Sequence, residues 1–169
     1  MESRVHVTKE EGGVAVDPTK YRSIIRSLYY LINTRPYLEY AVGIMSRFME
    51  SPKECHFKAI KLILRYIKGT VNFGLFYQKG GDRKVLGYND SSHGVDLDDR
   101  KGTTRIVFYY SRNLIIWCSS KQRTVALLSC EADFMAATEA SCQALQLRNL
   151  LVDLTGLKVE CVKIRVDNR

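Results

Sequence analysis

The period of the hydrophobic pattern changes near residue 70, and this change limits what the chain can fold into. Before Gly69 the apolar residues recur every three to four positions, which predicts amphipathic helices. After it, short runs of β-branched and aromatic residues alternate with turn formers, which predicts strands. We therefore predict an α/β (α+β) fold, with a flexible lead-in at 1–16, a helical segment at 17–70, and a mixed sheet with a long helix at 71–169.

Three helices are predicted in the first segment. Asp17-Pro18 starts the first, because Asp is a favoured N-cap and Pro suits the first helical position, and Asn33-Thr34-Arg35-Pro36 ends it. A second helix is predicted at about 37–49. The third begins at Ser51-Pro52-Lys53-Glu54, which offers a capping box, and Gly69 is its predicted C-terminal cap.

The third helix carries a basic stripe. Four cations recur at three- and four-residue spacing and so share one face: Lys58, Lys61, Arg65 and Lys68. The formal net charge is +8, and residues 1–80 hold 13 Lys and Arg against 7 Asp and Glu. This balance favours an anionic partner, nucleic acid first. The stripe could lie along a nucleic-acid backbone or be only a solvated helix face, and the pattern leaves both interpretations open.

The second segment is predicted to be a meander followed by a helix and one more strand. Strands are predicted at 71–77, 85–90, 103–110, 114–118 and 159–166, and the helix at 129–154, closed by Thr155-Gly156. The helix-mediated return favours a right-handed crossover, so the last strand should run parallel to the strand at 85–90.

Asp90 stands at the end of a predicted strand, just before a group of turn formers. A carboxylate there gains nothing from packing, so it is more often kept for chemistry than a surface Asp is. Glu131, at the start of the long helix, and Asp167, at the end of the last strand, could join it. Three converging carboxylates can hold divalent metal ions for phosphodiester cleavage. The open alternative is three solvated acids on separate elements. For the acid run Asp96, Asp98 and Asp99 we predict a solvated loop.

Several classes of protein are excluded by simpler features. The five cysteines and three histidines offer no zinc spacing, and reduced thiols are the simplest account of the cysteines. The N-terminal residues lack the apolar core of a signal peptide, and no run approaches the roughly 18 apolar residues of a membrane span. We therefore expect a soluble intracellular protein, cytoplasmic or nuclear, without a membrane partner.

Longer motifs follow one another along the chain after the lead-in. In the first half they are Tyr21-Arg22-Ser23-Ile24-Ile25, Ser27-Leu28-Tyr29-Tyr30-Leu31, Thr34-Arg35-Pro36, Ala41-Val42-Gly43, Ser46-Arg47-Phe48 and Ile63-Leu64-Arg65-Tyr66-Ile67-Lys68-Gly69-Thr70. In the second half they are Leu86-Gly87-Tyr88-Asn89-Asp90, Asp98-Asp99-Arg100-Lys101, Trp117-Cys118-Ser119-Ser120-Lys121-Gln122, Thr124-Val125-Ala126-Leu127, Cys130-Glu131-Ala132 and Val166-Asp167-Asn168. The first set resembles the C-terminal reverse-transcriptase (thumb- or connection-like) region of copia-type LTR retrotransposon Pol polyproteins, and the second set resembles their RNase H domain.

The resemblance implies an RNase H-like fold for the second segment and hydrolysis of the RNA strand of RNA–DNA hybrids with two Mg²⁺ ions. It assigns the catalytic metal carboxylates to Asp90, Glu131 and Asp167. The nucleic-acid partner it implies agrees with the basic stripe. The sequence lacks the paired aspartates of the polymerase site, so we expect no polymerase activity.

The sequence also departs from the pattern of that family. Ser92 stands where the family usually has Asp, and Arg26, Arg105 and Ser111 stand where it commonly has Gly. The family's pattern continues past Asp167 to a fourth acidic ligand. We therefore expect a truncated Pol remnant with an impaired RNase H. The alternative is an inactive remnant that binds nucleic acid or has no molecular function. An unprotected sheet edge beside the last strand would favour self-association.

Overall fold

The computed structural model describes residue 8 and residues 13–94, 96, 98–156 and 161–166. The chain divides into two compact units, Met1–Leu75 and Phe76–Arg169. The first is helical and the second holds a four-stranded mixed sheet with a long helix, which confirms the predicted α/β fold class. In the described part of the chain, no helix is both long and apolar enough to span a membrane.

The first unit contains three α-helices and one 3₁₀ turn. These are α1 (Pro18–Ile32), a 3₁₀ turn at Pro36–Leu38, α2 (Glu39–Ser46) and α3 (Glu54–Gly69). The predicted start of α1 is confirmed, because the Asp17 carboxylate accepts a hydrogen bond from the Thr19 N–H at 2.8 Å. The predicted second helix was too long, since it opens as a 3₁₀ turn and ends at Ser46.

The predicted start of α3 was wrong by a few residues. Lys53 is the N-cap, and Nδ1 of His56 accepts the Lys53 backbone N–H at 3.0 Å. His56 is fully buried and stacks on Phe48 with ring centroids 4.0 Å apart. A buried ring, and not a Ser51–Glu54 box, therefore satisfies this end of the helix. At the other end, Gly69 is the last helical residue and Thr70 is the cap.

The first unit closes a core among its own helices. Tyr21, in α1, is fully buried, and its hydroxyl donates to the Met45 carbonyl oxygen at 2.9 Å. Burial raises the pKa of this phenol. The other buried apolar residues of this core are Ile25, Leu28, Leu38, Val42, Met45, Phe48 and Ile60.

The strand predicted at 71–77 is wrong. These residues form a turn and then a stretch without regular secondary structure, which pairs with no strand in the described part of the chain. The Arg35 guanidinium donates to the carbonyl oxygens of Thr70 at 3.0 Å and Val71 at 2.9 Å. These contacts tie the start of the segment to the connection after α1, so its β propensity is overridden by its surroundings.

The second unit contains four strands and one long helix. Its elements are β1 (Val85–Ser92), β2 (Thr103–Tyr110), β3 (Asn113–Lys121), α4 (Ser129–Thr155) and β4 (Lys163–Val166). The strand order is β3-β2-β1-β4. β2 is antiparallel to both β1 and β3, whereas β4 is parallel to β1. The predicted parallel return is confirmed, and so is the closure of α4 by Gly156, which has a φ of 66°.

Helix α4 packs on one face of the sheet. Its sheet-facing side repeats alanine at four-residue spacing, at Ala132, Ala136, Ala140 and Ala144, and all four are buried. Opposite the helix, the core holds Val85, Ile106 and Phe108. Gly87 is required here, because a Cβ at that position would lie 2.5 Å from a ring carbon of Phe108.

Candidate functional site

Asp90 lies near the end of β1 and forms an ion pair across the sheet. It is directly opposite Arg105 of β2, and its Oδ2 lies 2.9 Å from Arg105 Nη2. Both side chains are about half exposed, at 48% and 46%. Because successive strand residues point to opposite faces, Asp90 is on the face away from its neighbours Asn89 and Ser91.

The face of β1 that meets α4 carries a different polar contact. The Ser91 hydroxyl donates to Oδ1 of Asp133, in the second turn of α4, at 2.5 Å. Asn89, on the same face, is buried. The helix carboxylate in contact with the end of β1 is therefore Asp133, a residue that the sequence analysis did not select.

Glu131 makes a local contact at the start of α4. Its Oε2 accepts the Leu127 backbone N–H at 2.7 Å, just before the helix, whose N-cap Leu128 has no capping side chain. A carboxylate there also interacts favourably with the helix dipole. Residues two apart on a helix point about 200° apart, so Glu131 and Asp133 face different directions. The sequence does indicate the direction of Asp133. It lies three residues before Ala136 and seven before Ala140, so it shares the helix face of these buried alanines.

Asp167 lies outside the described residues, so its side chain is not placed. The last described residue of β4, Val166, pairs in register with Asn89, which directly precedes Asp90. The ends of two parallel strands therefore meet beside Asp90.

A two-magnesium site does not fit the residues that the structure describes. Among them, no three Asp, Glu, His or Cys side chains come together as a metal-binding group. Each described carboxylate near β1 or the start of α4 already has a partner within the chain: Arg105 for Asp90, Ser91 for Asp133, and the Leu127 N–H for Glu131. Mg²⁺ needs octahedral coordination by oxygen ligands, and these contacts would have to break to supply it.

The predicted basic stripe of α3 is exposed along its whole length, at Lys58, Lys61, Arg65 and Lys68. Lys58 pairs with Glu54 of the same helix at 3.2 Å. The Lys61 ammonium lies 5.1 Å from the centre of the Phe57 ring, and Lys20 of α1 lies 5.9 Å from the same ring. The cationic area therefore extends from α3 to α1. We call these five residues the basic surface: Lys20, Lys58, Lys61, Arg65 and Lys68.

The acid run at 96–99 is more ordered than predicted. Lys121 Nζ, at the end of β3, lies 2.6 Å from Asp96 Oδ2 and 2.7 Å from Asp99 Oδ2. The Asp96 side chain is only 8% exposed, so the prediction of a solvated loop was wrong at this position. Burial alone would raise the pKa of Asp99, but hydrogen bonds from the Lys121 side chain and the Lys101 N–H, together with the Lys121 charge, lower it overall.

The chain is similar to several known proteins. It is 39% identical over 143 residues to the Retrovirus-related Pol polyprotein from transposon RE1 of Arabidopsis thaliana, covering 85% of this chain and 10% of that protein. It is 40% identical over 147 residues to the Retrovirus-related Pol polyprotein from transposon TNT 1-94 of Nicotiana tabacum, covering 86% and 11%. It is also 38% identical over 128 residues to Secreted RxLR effector protein 161 of Plasmopara viticola, covering 75% and 90%.

The chain thus spans about a tenth of the length of the Pol polyproteins that it matches. No protein-family model matches it. No solved structure matches it.

Proposed function

The chain belongs to the family of copia-type retrotransposon Pol polyproteins, and from that premise we propose that it is a Pol segment that binds nucleic acid through its basic surface. The observation that carries the proposal is the exposure of all four cations of α3 on one side of the helix. Their spacing over ten residues corresponds to about 15 Å of helix. A nucleic-acid duplex presents several phosphates over that distance.

The contact of Lys20 and Lys61 with the Phe57 ring supports the same proposal. The ammonium groups of Lys20 in α1 and Lys61 in α3 lie 5.9 Å and 5.1 Å from the centre of this one ring, and each is attracted to its electrons. A phosphate backbone that reached the ring would meet both positive charges. An RNA–DNA hybrid is the nucleic acid that the family resemblance favours.

The test is the binding of a labelled RNA–DNA hybrid, measured by fluorescence anisotropy at several salt concentrations. One variant replaces the stripe (Lys58→Gln, Lys61→Gln, Arg65→Gln, Lys68→Gln). The matched control removes four exposed cations of the second unit (Lys79→Gln, Arg100→Gln, Arg123→Gln, Arg148→Gln).

We expect the stripe variant to bind at least about tenfold more weakly near 0.1 M salt. Its slope of log K against log salt should become shallower by about one for each phosphate that the protein no longer neutralises. The control should change affinity by less than about threefold, because it has the same net charge but an intact stripe. Equal decreases in affinity in the two variants would contradict the proposal, since they would indicate attraction by net charge alone.

A second candidate function is hydrolysis of the RNA strand of an RNA–DNA hybrid. The observation that favours it is that the end of β4 lies beside Asp90, at the C-terminal end of β1. Asp133 is the helix carboxylate that contacts this strand end, through Ser91 on the face opposite Asp90, and we take it, in place of Glu131, as the helix acid to test. Mg²⁺ is the metal that the family resemblance implies, with Asp90 and Asp167 as further ligands, although the described contacts do not fit a closed two-metal site.

Cleavage of a labelled hybrid in the presence of Mg²⁺ tests this second candidate. The informative variants are Asp90→Asn, Asp133→Asn and Glu131→Gln. We expect any cleavage to disappear in the first two and to survive in the third. The opposite result for Asp133→Asn and Glu131→Gln would assign the helix acid to Glu131. If the folded chain binds the hybrid without cutting it, that result would contradict the hydrolysis function and support the binding function alone.

A further inference from the structure

The guanidinium of Arg105 forms an ion pair with Asp90. Among the described acids at the end of β1, Asp90 is the one that faces away from α4. We infer that Arg105 takes the place of a divalent cation at Asp90 and keeps the carboxylate closed to metal. The inference rests on the second candidate function, in which Asp90 is a metal ligand.

The register of the sheet places Arg105 against Asp90. Asp90 and Arg105 are direct partners in the antiparallel pairing of β1 with β2. Directly opposite residues have Cβ atoms about 4.5–5.5 Å apart on the same face. The ion pair at 2.9 Å is therefore built into the strand pairing and does not depend on a flexible loop. The position opposite Asp90 decides what this carboxylate meets first.

The positive charges around the Asp90 carboxylate also oppose a metal ion. A hollow at this end of the sheet is lined by Tyr88, Asn89, Asp90, Arg105, Val107, Arg165 and Val166. The Arg165 guanidinium, from β4, lies over the Tyr88 ring at 5.7 Å. The described lining thus holds two guanidinium groups and one carboxylate. A divalent cation placed on Asp90 would share this hollow with two positive charges, which would repel it.

The guanidinium group of Arg105 is also chemically suited to stay on a carboxylate. An arginine keeps its charge at any accessible pH, so it does not leave the carboxylate by deprotonation. Its planar guanidinium also matches the hydrogen-bonding geometry of a carboxylate. A glycine at this position would offer neither the charge nor the donor. Asp90 itself is retained, half exposed and near the surface, so removal of the Arg105 charge should reopen it.

The test is a Mn²⁺ titration of the full chain, with free Mn²⁺ followed by electron paramagnetic resonance. The variants are Arg105→Gly, Arg105→Gln, Arg105→Lys and the double variant Arg105→Gly with Asp90→Asn. Arg148→Gln, an exposed cation of α4, is the matched control. Circular dichroism shows whether each variant is folded, and Arg105→Gln, which keeps most of the side chain, decides the test if Arg105→Gly does not fold.

We expect Mn²⁺ to bind about tenfold or more tightly after Arg105→Gly or Arg105→Gln, because a full positive charge leaves the carboxylate. Arg105→Lys and Arg148→Gln should bind like the unmodified chain, and the gain should vanish when Asp90→Asn is added. Two results would overturn the inference: a folded Arg105→Gln that binds Mn²⁺ no more tightly, or an unmodified chain that already binds Mn²⁺ through Asp90 as tightly as the variants.

Hybrid cleavage is then measured separately with Arg105→Gln. A gain in Mn²⁺ binding without cleavage would remove hydrolysis as a function and leave the role of Arg105 intact. Cleavage by the unmodified chain, abolished in Asp90→Asn, would instead establish hydrolysis and overturn the role given to Arg105.

Discussion

The two units use their charged residues in opposite ways. In the first unit the four cations of α3 lie exposed along one side of a helix, where Lys58 also pairs with Glu54 of the same helix. In the second unit the charges near the strand ends are paired with one another, as in Asp90 with Arg105 and Asp99 with Lys121. Like charges in an exposed row repel each other and attract an anionic partner, whereas paired charges satisfy each other. The contrast supports binding by the first unit more strongly than catalysis by the second.

The two cores are built from different elements. The first unit packs residues of α1, α2 and α3 against each other. The second packs α4 against the strands of its sheet. The single tryptophan of the chain, Trp117, lies in β3 and so reports on the second unit alone. Each unit can therefore be perturbed and followed separately.

The largest expected effect comes from truncating one buried side chain in each core. Phe108 and Ile25 are fully buried, one in each unit. Phe108→Ala should lower the free energy of unfolding of the second unit by about 3–5 kcal/mol, and Ile25→Ala that of the first by about 2–5 kcal/mol, because each leaves a cavity. Urea unfolding followed by Trp117 fluorescence measures the second unit, and far-UV circular dichroism also detects the first.

The comparison of the two units predicts that these decreases are separate. Phe108→Ala should move the fluorescence transition, whereas Ile25→Ala should leave it in place and move only part of the circular dichroism signal. If either variant moves both transitions by equal amounts, the two units unfold as one cooperative body and the contrast drawn between them fails.

Gly87 gives the next largest effect. A Cβ at Gly87 would lie 2.5 Å from the Phe108 ring, whereas one at Gly74 meets no atom within 4 Å. Gly87→Ala should therefore destabilise the second unit by about 1–3 kcal/mol, because the buried ring has to shift. Gly74→Ala, the matched control in the first unit, should change stability by less than about 1 kcal/mol. Thermal unfolding followed by Trp117 fluorescence measures the first change. An unaltered transition for Gly87→Ala would mean that the Phe108 ring is free to move.

The units also differ in how well their elements follow from the sequence. Three strands and the long helix of the second unit were predicted within about three residues, because apolar alternation and the Gly156 cap are local signals. The segment at 71–77 has the same local signal, yet it is no strand. Its start is bound by Arg35, far away in sequence, and propensity carries no information on such a partner.

The candidate site shows the same limit. The local pattern predicted a strand that ends at Asp90, and the strand runs only two residues further, to Ser92. That Asp133 and not Glu131 contacts β1 depends on the rotational phase of α4, which the buried alanines set. The ion pair of Asp90 with Arg105 depends on the register of β1 with β2, and register is fixed by the whole sheet. The assignment of Asp90, Glu131 and Asp167 to a metal site stays a prediction, as do nucleic-acid binding and self-association.

The smallest expected effect tests the paired charges of the second unit through pH. The pKa of Asp99 is lowered in the folded chain, so its contact with Lys121 contributes stability above the unfolded-state pKa, about 3.9, and this contribution disappears as pH falls through the lower folded value. Asp99→Asn should cost less than about 1 kcal/mol at pH 7, since the Asp99 side chain is 38% exposed and screened by water. The difference from the unmodified chain should shrink below about pH 4. Unfolding followed by Trp117 fluorescence at pH 7 and pH 3 measures it, with Asp153→Asn, an exposed acid of α4, as control. If the difference in unfolding free energy grows on acidification, the prediction is contradicted, and the pair of Asp99 with Lys121 does not stabilise the second unit.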